Sequence, residues 1–303
     1  MIPIHTDTCT LRSGETLFYR TAQTGRTPIV LLHGNMASSV FFERLINTLS
    51  DDYSVFAPDL RGFGQSSYTT QSLSVYDYAL DIKQFIERLG LDKPIVLGFE
   101  FGGAVALKLL SEFRFIARGL VLMSSISVAG RPIRRRVLFG MIKTRDYLKT
   151  KGAIEKFITP VERYKRDNQR WLIKQMFAQD IFTLNKPTSE EMETFIDAFM
   201  QQRNLADVYM ALTYFNIFSD DNGVAEGEHK AKDIAVPVLS LHGDKNDVVP
   251  LGAAKLNERA IGRNVTTKVI NGAGHALFFD APSAVKEYLD TFVNTLDKNK
   301  DDR

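Results

Sequence analysis

The chain reads as an α/β fold, with a mostly parallel central sheet, helices on both faces and an inserted helical segment, on three observations. Strand and helix signals alternate through the first third and resume near Val236. Between about Gly130 and Val236 the pattern is helical. The apolar run Ile95-Val96-Leu97 passes through Gly98-Phe99-Glu100-Phe101-Gly102-Gly103 into a helical pattern, so the chain turns sharply at Glu100 between glycine-sized neighbours.

Taken in order, the stretches Thr8 to Leu17 and Thr16 to Thr21 predict a hairpin. Pro28-Ile29-Val30-Leu31-Leu32 is continuously apolar, as a strand covered on both faces must be, and ends in His33-Gly34-Asn35. A second buried strand, Tyr53 to Ala57, enters the turn-rich loop Pro58 to Ser66. Tyr78, Ile82, Phe85, Ile86 and Leu89 recur at helical spacing, with Ser74 and Asp77 as start signals and Gly90 as the stop. After the turn at Glu100 come a helix from about Gly102 to Phe113 and a strand from Gly119 to Met123. In the helical stretch, Thr188 and Glu191 form a capping box ahead of Met192, Phe195, Ile196, Phe199 and Met200. Its Phe, Met and Tyr residues are read as packing before they are read as the lining of an apolar pocket. The alternation returns with a strand at Val236 to Leu241, a helix from about Leu251, a strand at Thr266 to Ile270 and a helix from Pro282 to Leu296. The charged tail, Asp297 to Arg303, is expected to fray.

Composition removes several classes of function. A net charge of +2 over 303 residues leaves no footprint for nucleic acid or a membrane surface, and Arg134-Arg135-Arg136 is read as a solvated helix face. One cysteine, Cys9, forms no internal disulfide framework, and no run of 18 apolar residues occurs. The first residues lack the basic end and apolar run of a signal peptide, so a cytoplasmic location is expected. No metal cluster, P-loop or dinucleotide fingerprint is present, so no cofactor is implied and the expected partner is a small molecule.

The turn at Glu100 has the pattern of a nucleophile elbow, G-x-S-x-G, with glutamate in the serine's place. Leu241-His242-Gly243-Asp244-Lys245-Asn246-Asp247 follows one strand and offers an acid, and Asn271-Gly272-Ala273-Gly274-His275 follows the last and offers an imidazole. With His33-Gly34-Asn35 and Arg61 to Ser66, these motifs resemble those of the α/β-hydrolase fold family, in the order nucleophile position, acid, histidine. The resemblance implies a hydrolase core over 1–128 and 233–303, with a helical cap over 129–232. It makes His275 the general base and acid, and Asp247 the carboxylate that orients it, with Asp244 as the competing acid. It also assigns the oxyanion hole to the backbone amides of Asn35 and Phe101. His33 and His242 are read as structural.

Three functions fit a glutamate at the elbow. The first, and the expected one, is a hydrolase of small apolar esters or related small molecules acting through Glu100, Asp247 and His275, an ester-hydrolase scaffold whose serine has been replaced, for which Glu100→Ser is expected to uncover hydrolysis. The second is a carboxylate nucleophile acting on sp3 carbon, as in the epoxide hydrolases and haloalkane dehalogenases of the family. Phe101 stands where dehalogenases usually have tryptophan, and Met36 where epoxide hydrolases usually have proline, while Tyr147, Tyr164, Tyr209 and Tyr214 supply candidate activating phenols. The third is a silent small-molecule binder in which Glu100 occupies the oxyanion hole and pairs with a protonated His275.

Overall fold

The computed structural model describes residues 2–136 and 142–301. Strands β1 (His5–Thr10) and β2 (Thr16–Ala22) form the expected hairpin, followed by β3 (Pro28–Leu32), helix α1 (Glu43–Leu49) and β4 (Ser54–Pro58). Next come α2 (Val75–Arg88), β5 (Ile95–Phe99), α3 (Phe101–Glu112) and β6 (Gly119–Met123). The chain then leaves the sheet for a small antiparallel pair, β7 (Arg134–Arg136) and β8 (Ile142–Tyr147), and four helices. These are α4 (Lys151–Arg166), α5 (Arg170–Asp180), α6 (Ser189–Met200) and α7 (Leu205–Tyr214). It returns through β9 (Val238–Gly243), α8 (Leu251–Ile261), β10 (Val265–Ile270), the short α9 (Leu277–Asp280) and α10 (Pro282–Asp301).

The eight-stranded sheet runs β1-β2-β4-β3-β5-β6-β9-β10. It is parallel from β4 onward, and β1 and β2 are antiparallel. Its apolar strands divide by alternation between two cores. Val30, Leu32, Val96 and Leu122 pack with Ile82 and Phe85 of α2 and Val105 of α3. Ile29, Leu31, Leu97 and Val121 face the other way, onto Leu45 and Leu49 of α1 and Val285 and Leu289 of α10. Both faces are thus covered, which is why these strands lack polar positions.

The helices between β6 and β9 bind the loops at the carboxyl ends of the strands. Arg203 N donates to Gly62 O (2.8 Å), Asn204 Nδ2 donates to Arg61 O (2.7 Å) and Arg44 pairs with Glu191 (2.7 Å). Their aromatics are core residues: Phe195 stacks on Phe41 at 4.3 Å between ring centroids, and Phe177, Phe182 and Phe199 are fully buried.

Three details differ from the sequence reading. Arg134 to Arg136 is a strand and not a helix face, with Arg135 paired to Asp146 (3.5 Å). Helix α1 carries only a short apolar stripe after a 3-10 turn, too little periodicity to stand out. Helix α10 continues to Asp301 where fraying was expected, since no glycine or proline interrupts it and Asp297 pairs with Arg118.

The elbow is built by its glycines. A Cβ on Gly98 would lie 2.4 Å from Gly102 O, and one on Gly102 would lie 2.1 Å from Leu32 O. Since these are backbone obstacles, we expect Gly102→Ala to destabilise the fold by about 1–3 kcal/mol or more in urea denaturation. Gly152→Ala is the control, because a Cβ there meets nothing within 4 Å. Equal stabilities for the two variants would show that the elbow does not depend on this close approach.

Candidate functional site

Glu100 sits between β5 and α3 at φ 48° and ψ −108°, a conformation that costs a non-glycine residue about 1–3 kcal/mol. Its backbone is held from three directions: Glu100 N donates to Met123 O (3.3 Å), while Glu100 O accepts from Gly103 N (3.0 Å) and Ile126 N (3.2 Å). The residue is 7% exposed. Its Oε2 accepts from the backbone amides of Phe101 (2.6 Å) and Asn35 (2.9 Å), the two amides the resemblance assigned to an oxyanion hole. Its Oε1 accepts from Arg131 Nη1 (3.4 Å).

The Asn35 amide is aimed by its own side chain. Asn35 Oδ1 accepts from Met36 N (3.0 Å) and from Gln202 Nε2 (2.9 Å), and Gln202 Nε2 also donates to Asn204 Oδ1 (3.1 Å). Gln202 and Asn204 are buried and follow α6, so the inserted helices fix one of the two amides that hold Glu100. Arg131 is tied by its backbone N to Leu212 O (2.9 Å) and by Nη2 to Val248 O (3.2 Å), with about half its side chain exposed.

His275 lies in the loop after β10 with its ring 4.8 Å from that of Phe99, and it is 3% exposed. It makes no hydrogen bond or ion pair with Glu100 or Asp247 among the described residues, and its Nδ1 has no partner. Burial, then the Arg131 charge, then His242 push its pKa down to about 3. The expected pairing of Glu100 with a protonated His275 is therefore corrected: the imidazole is neutral near pH 7, and the cation beside Glu100 is Arg131.

Among the described residues neither acid of the β9 loop bonds to this ring. Asp247 is exposed. Asp244 Oδ1 accepts from Gly272 N (2.7 Å) and Ala273 N (3.3 Å), stitching the β9 and β10 loops together. The side chain that turns inward is Asn246, whose Oδ1 accepts from Val248 N and Val249 N (3.1 Å each), while its buried Nδ2 has no protein partner. His33 is structural as expected, with Nδ1 on Gly34 O (2.8 Å) and Nε2 accepting from Leu60 N (2.9 Å). His242 is buried, and burial lowers its pKa.

The structure thus assembles Glu100, Asn35 and Phe101, brings His275 alongside Phe99, and leaves Asp247 outside. Arg131, Gln202 and Asn246 were missed by sequence reasoning. Arg131 stands in Gly130-Arg131-Pro132 with no chemical motif around it, and Gln202 acts across 167 positions. Asn246 acts through loop-backbone contacts that residue type does not signal. Of the candidate tyrosines, Tyr209 is in electrostatic reach of Glu100 and Arg131, and burial first of all raises its pKa to about 12. Among the described residues no group of three His, Cys, Asp or Glu side chains is placed to hold a metal ion.

The buried imidazole predicts a pH dependence of stability. Its folded pKa of about 3 lies below the ordinary 6.5, so between those values the unfolded chain binds a proton that the folded chain refuses. Stability attributable to His275 is complete above that window and is lost as pH falls through it, with a slope of up to about 1.4 kcal/mol per pH unit. Urea denaturation at pH 6.5 and pH 5 should show a larger loss for the wild type than for His275→Asn. Equal losses would place the imidazole in contact with water.

The alpha/beta hydrolase fold family model matches residues 27–282. The AB hydrolase superfamily protein YisY of Bacillus subtilis is 26% identical over 288 residues, which cover 92% of this chain and 96% of that protein. The soluble epoxide hydrolase of a Corynebacterium strain is 33% identical over 114 residues, covering 38% of this chain and 40% of that enzyme. An esterase of Exiguobacterium antarcticum has a similar solved structure, with a TM-score of 0.72, 21% identity and coverage of 97% of this chain and 100% of that one. The family match spans most of the length and agrees with the sheet order and the elbow, so this chain belongs to the α/β-hydrolase family.

Proposed function

We propose that this protein binds small apolar molecules beneath its inserted helices without hydrolysing them, Glu100 serving as a built-in occupant of the oxyanion hole. The observation that carries this reading is the seating of Oε2 on both amides, Phe101 N and Asn35 N. An ester's tetrahedral intermediate needs those donors for its own oxyanion, and here they are taken. Two further features point the same way. The elbow supplies no hydroxyl nucleophile, and His275 makes no contact with a carboxylate to orient it and stabilise its protonated form. Carboxylate attack on an ester carbonyl would also give a high-energy anhydride.

The same geometry keeps a second reading alive, because Oε1 lies outside the amide pair and is the atom that would attack an sp3 carbon. Arg131 neutralises that oxygen, and water activation by His275 lacks a carboxylate partner, so an alkyl-enzyme ester would form slowly and persist. Intact-mass measurement after incubation with an epoxide and a bromoalkane separates the two readings. We expect no adduct, and a stoichiometric mass increase on the peptide spanning Pro94 to Lys108 would establish the carboxylate nucleophile instead.

Restoring the serine alone should do little, which revises the expectation from sequence. An orienting carboxylate at the histidine contributes on the order of 10,000-fold in a serine triad. We therefore expect Glu100→Ser to leave p-nitrophenyl acetate hydrolysis slow and Glu100→Ser with Asn246→Asp to exceed it by about 100-fold or more. Wild-type turnover that His275→Ala abolishes would overturn the silent reading.

A further inference from the structure

Arg131 faces two places at once. Its guanidinium meets Glu100 through Nη1 and Val248 O through Nη2, and the residue lines an open cleft of about 270 Å³ walled further by Ile126, Val248, Val249, Pro250, Ala253 and Leu256. The walls are mostly aliphatic, with Ser127 adding a hydroxyl, and come from the β6 loop, the β9 loop and the first turns of α8. A larger hollow of about 370 Å³ between Phe218 and Arg259 shares no residue with the contacts of Glu100 and is rimmed by exposed charges, so it has no comparable link to the site.

The geometry points to this cleft as a binding site for uncharged carbonyl compounds with an apolar tail, the tail filling the cleft and the carbonyl oxygen accepting from Arg131. The donors are available. A guanidinium carries five N–H groups, and Arg131 commits Nη1 to Glu100 and Nη2 to Val248 O while Nε makes no hydrogen bond among the described residues. Charge decides the head group. Arg131 is already balanced by Glu100 at 3.4 Å, and the Asp180 carboxylate is also within its electrostatic reach. A carboxylate head would add a negative charge beside Glu100, whereas a ketone or ester oxygen takes the free N–H groups without that repulsion. Because the walls are mostly aliphatic, the tail contributes through burial of apolar area and not through specific contacts.

The inference rests on the binding role proposed above, in that Glu100 remains in its hole and keeps Arg131 balanced. 2-Octanone is a suitable probe because it cannot be hydrolysed, so its binding is measured independently of any esterase activity. Titration calorimetry of the full-length protein should give saturable binding of 2-octanone, with octanoate at least about tenfold weaker. Gly252→Leu, which sends a side chain into open space at the cleft wall, should weaken 2-octanone binding at least about tenfold. Leu256→Phe should weaken it in the same direction should Gly252→Leu fold poorly. Arg131→Met should weaken 2-octanone while sparing an octane-sized hydrocarbon probe. Absence of 2-octanone binding, octanoate binding as tightly as the ketone, or two well-folded wall variants binding like the wild type would each overturn the cleft assignment. Ester turnover by the wild type would instead overturn the silent reading and leave the ketone result to stand or fall alone.

Discussion

Glu100 Oε2 accepts hydrogen bonds from two backbone amides that neither loop is free to turn away, and the chemistry left to the site follows from that contact. The Phe101 amide is fixed because it opens α3 directly after a strained elbow. The Asn35 amide is fixed because Gln202 grips the Asn35 side chain from the inserted helices. A serine side chain stops short of its own oxyanion hole. Glutamate has the reach to fold back into it, and a carboxylate satisfies two buried N–H donors that would otherwise wait for a ligand.

Once the carboxylate is seated, its other oxygen requires a positive partner, and the structure supplies Arg131 and not His275. The imidazole lies in an apolar setting against Phe99, next to another buried histidine, with no acid at Nδ1. Each of these features favours the neutral ring, and the guanidinium nearby adds a repulsive charge to any proton it would take up. A neutral imidazole and an arginine coexist easily where an imidazolium and an arginine would not.

The fold was legible because it depends on periodicity. The run from Pro28 to Leu32 and the run from Gly119 to Met123 matched their strands to the residue, and the Ser74 and Asp77 signals marked a real capping box at the start of α2. Strand β8 was not legible, since Ile142 to Tyr147 carries lysine, arginine and aspartate in place of apolar alternation. At the site, the sharp turn at Glu100 was recognisable because a local motif announces it. Asp247 and Asn246 are neighbours on one loop, and which of them turns inward is decided by Asn246 Oδ1 accepting the amides of Val248 and Val249, a fact of loop geometry with no trace in residue type. Arg131 was invisible for a different reason, since its role comes from the return of the chain past the elbow after β6.

That return fixes Arg131 beside the elbow. It is anchored at both ends of its reach, by its backbone to Leu212 O on α7 and by Nη2 to Val248 O on the β9 loop, so the guanidinium spans the gap between the inserted helices and the core. An arginine suits that position better than a lysine, because its planar fork can hold Glu100 and Val248 O while still presenting N–H groups elsewhere. A point charge on a flexible stem would satisfy Glu100 and leave the cleft wall without a donor. Arg131 therefore contacts Glu100 Oε1 and also lines the neighbouring cleft, and any ligand that drew the guanidinium fully away would leave Glu100 holding two amides but no counter-charge.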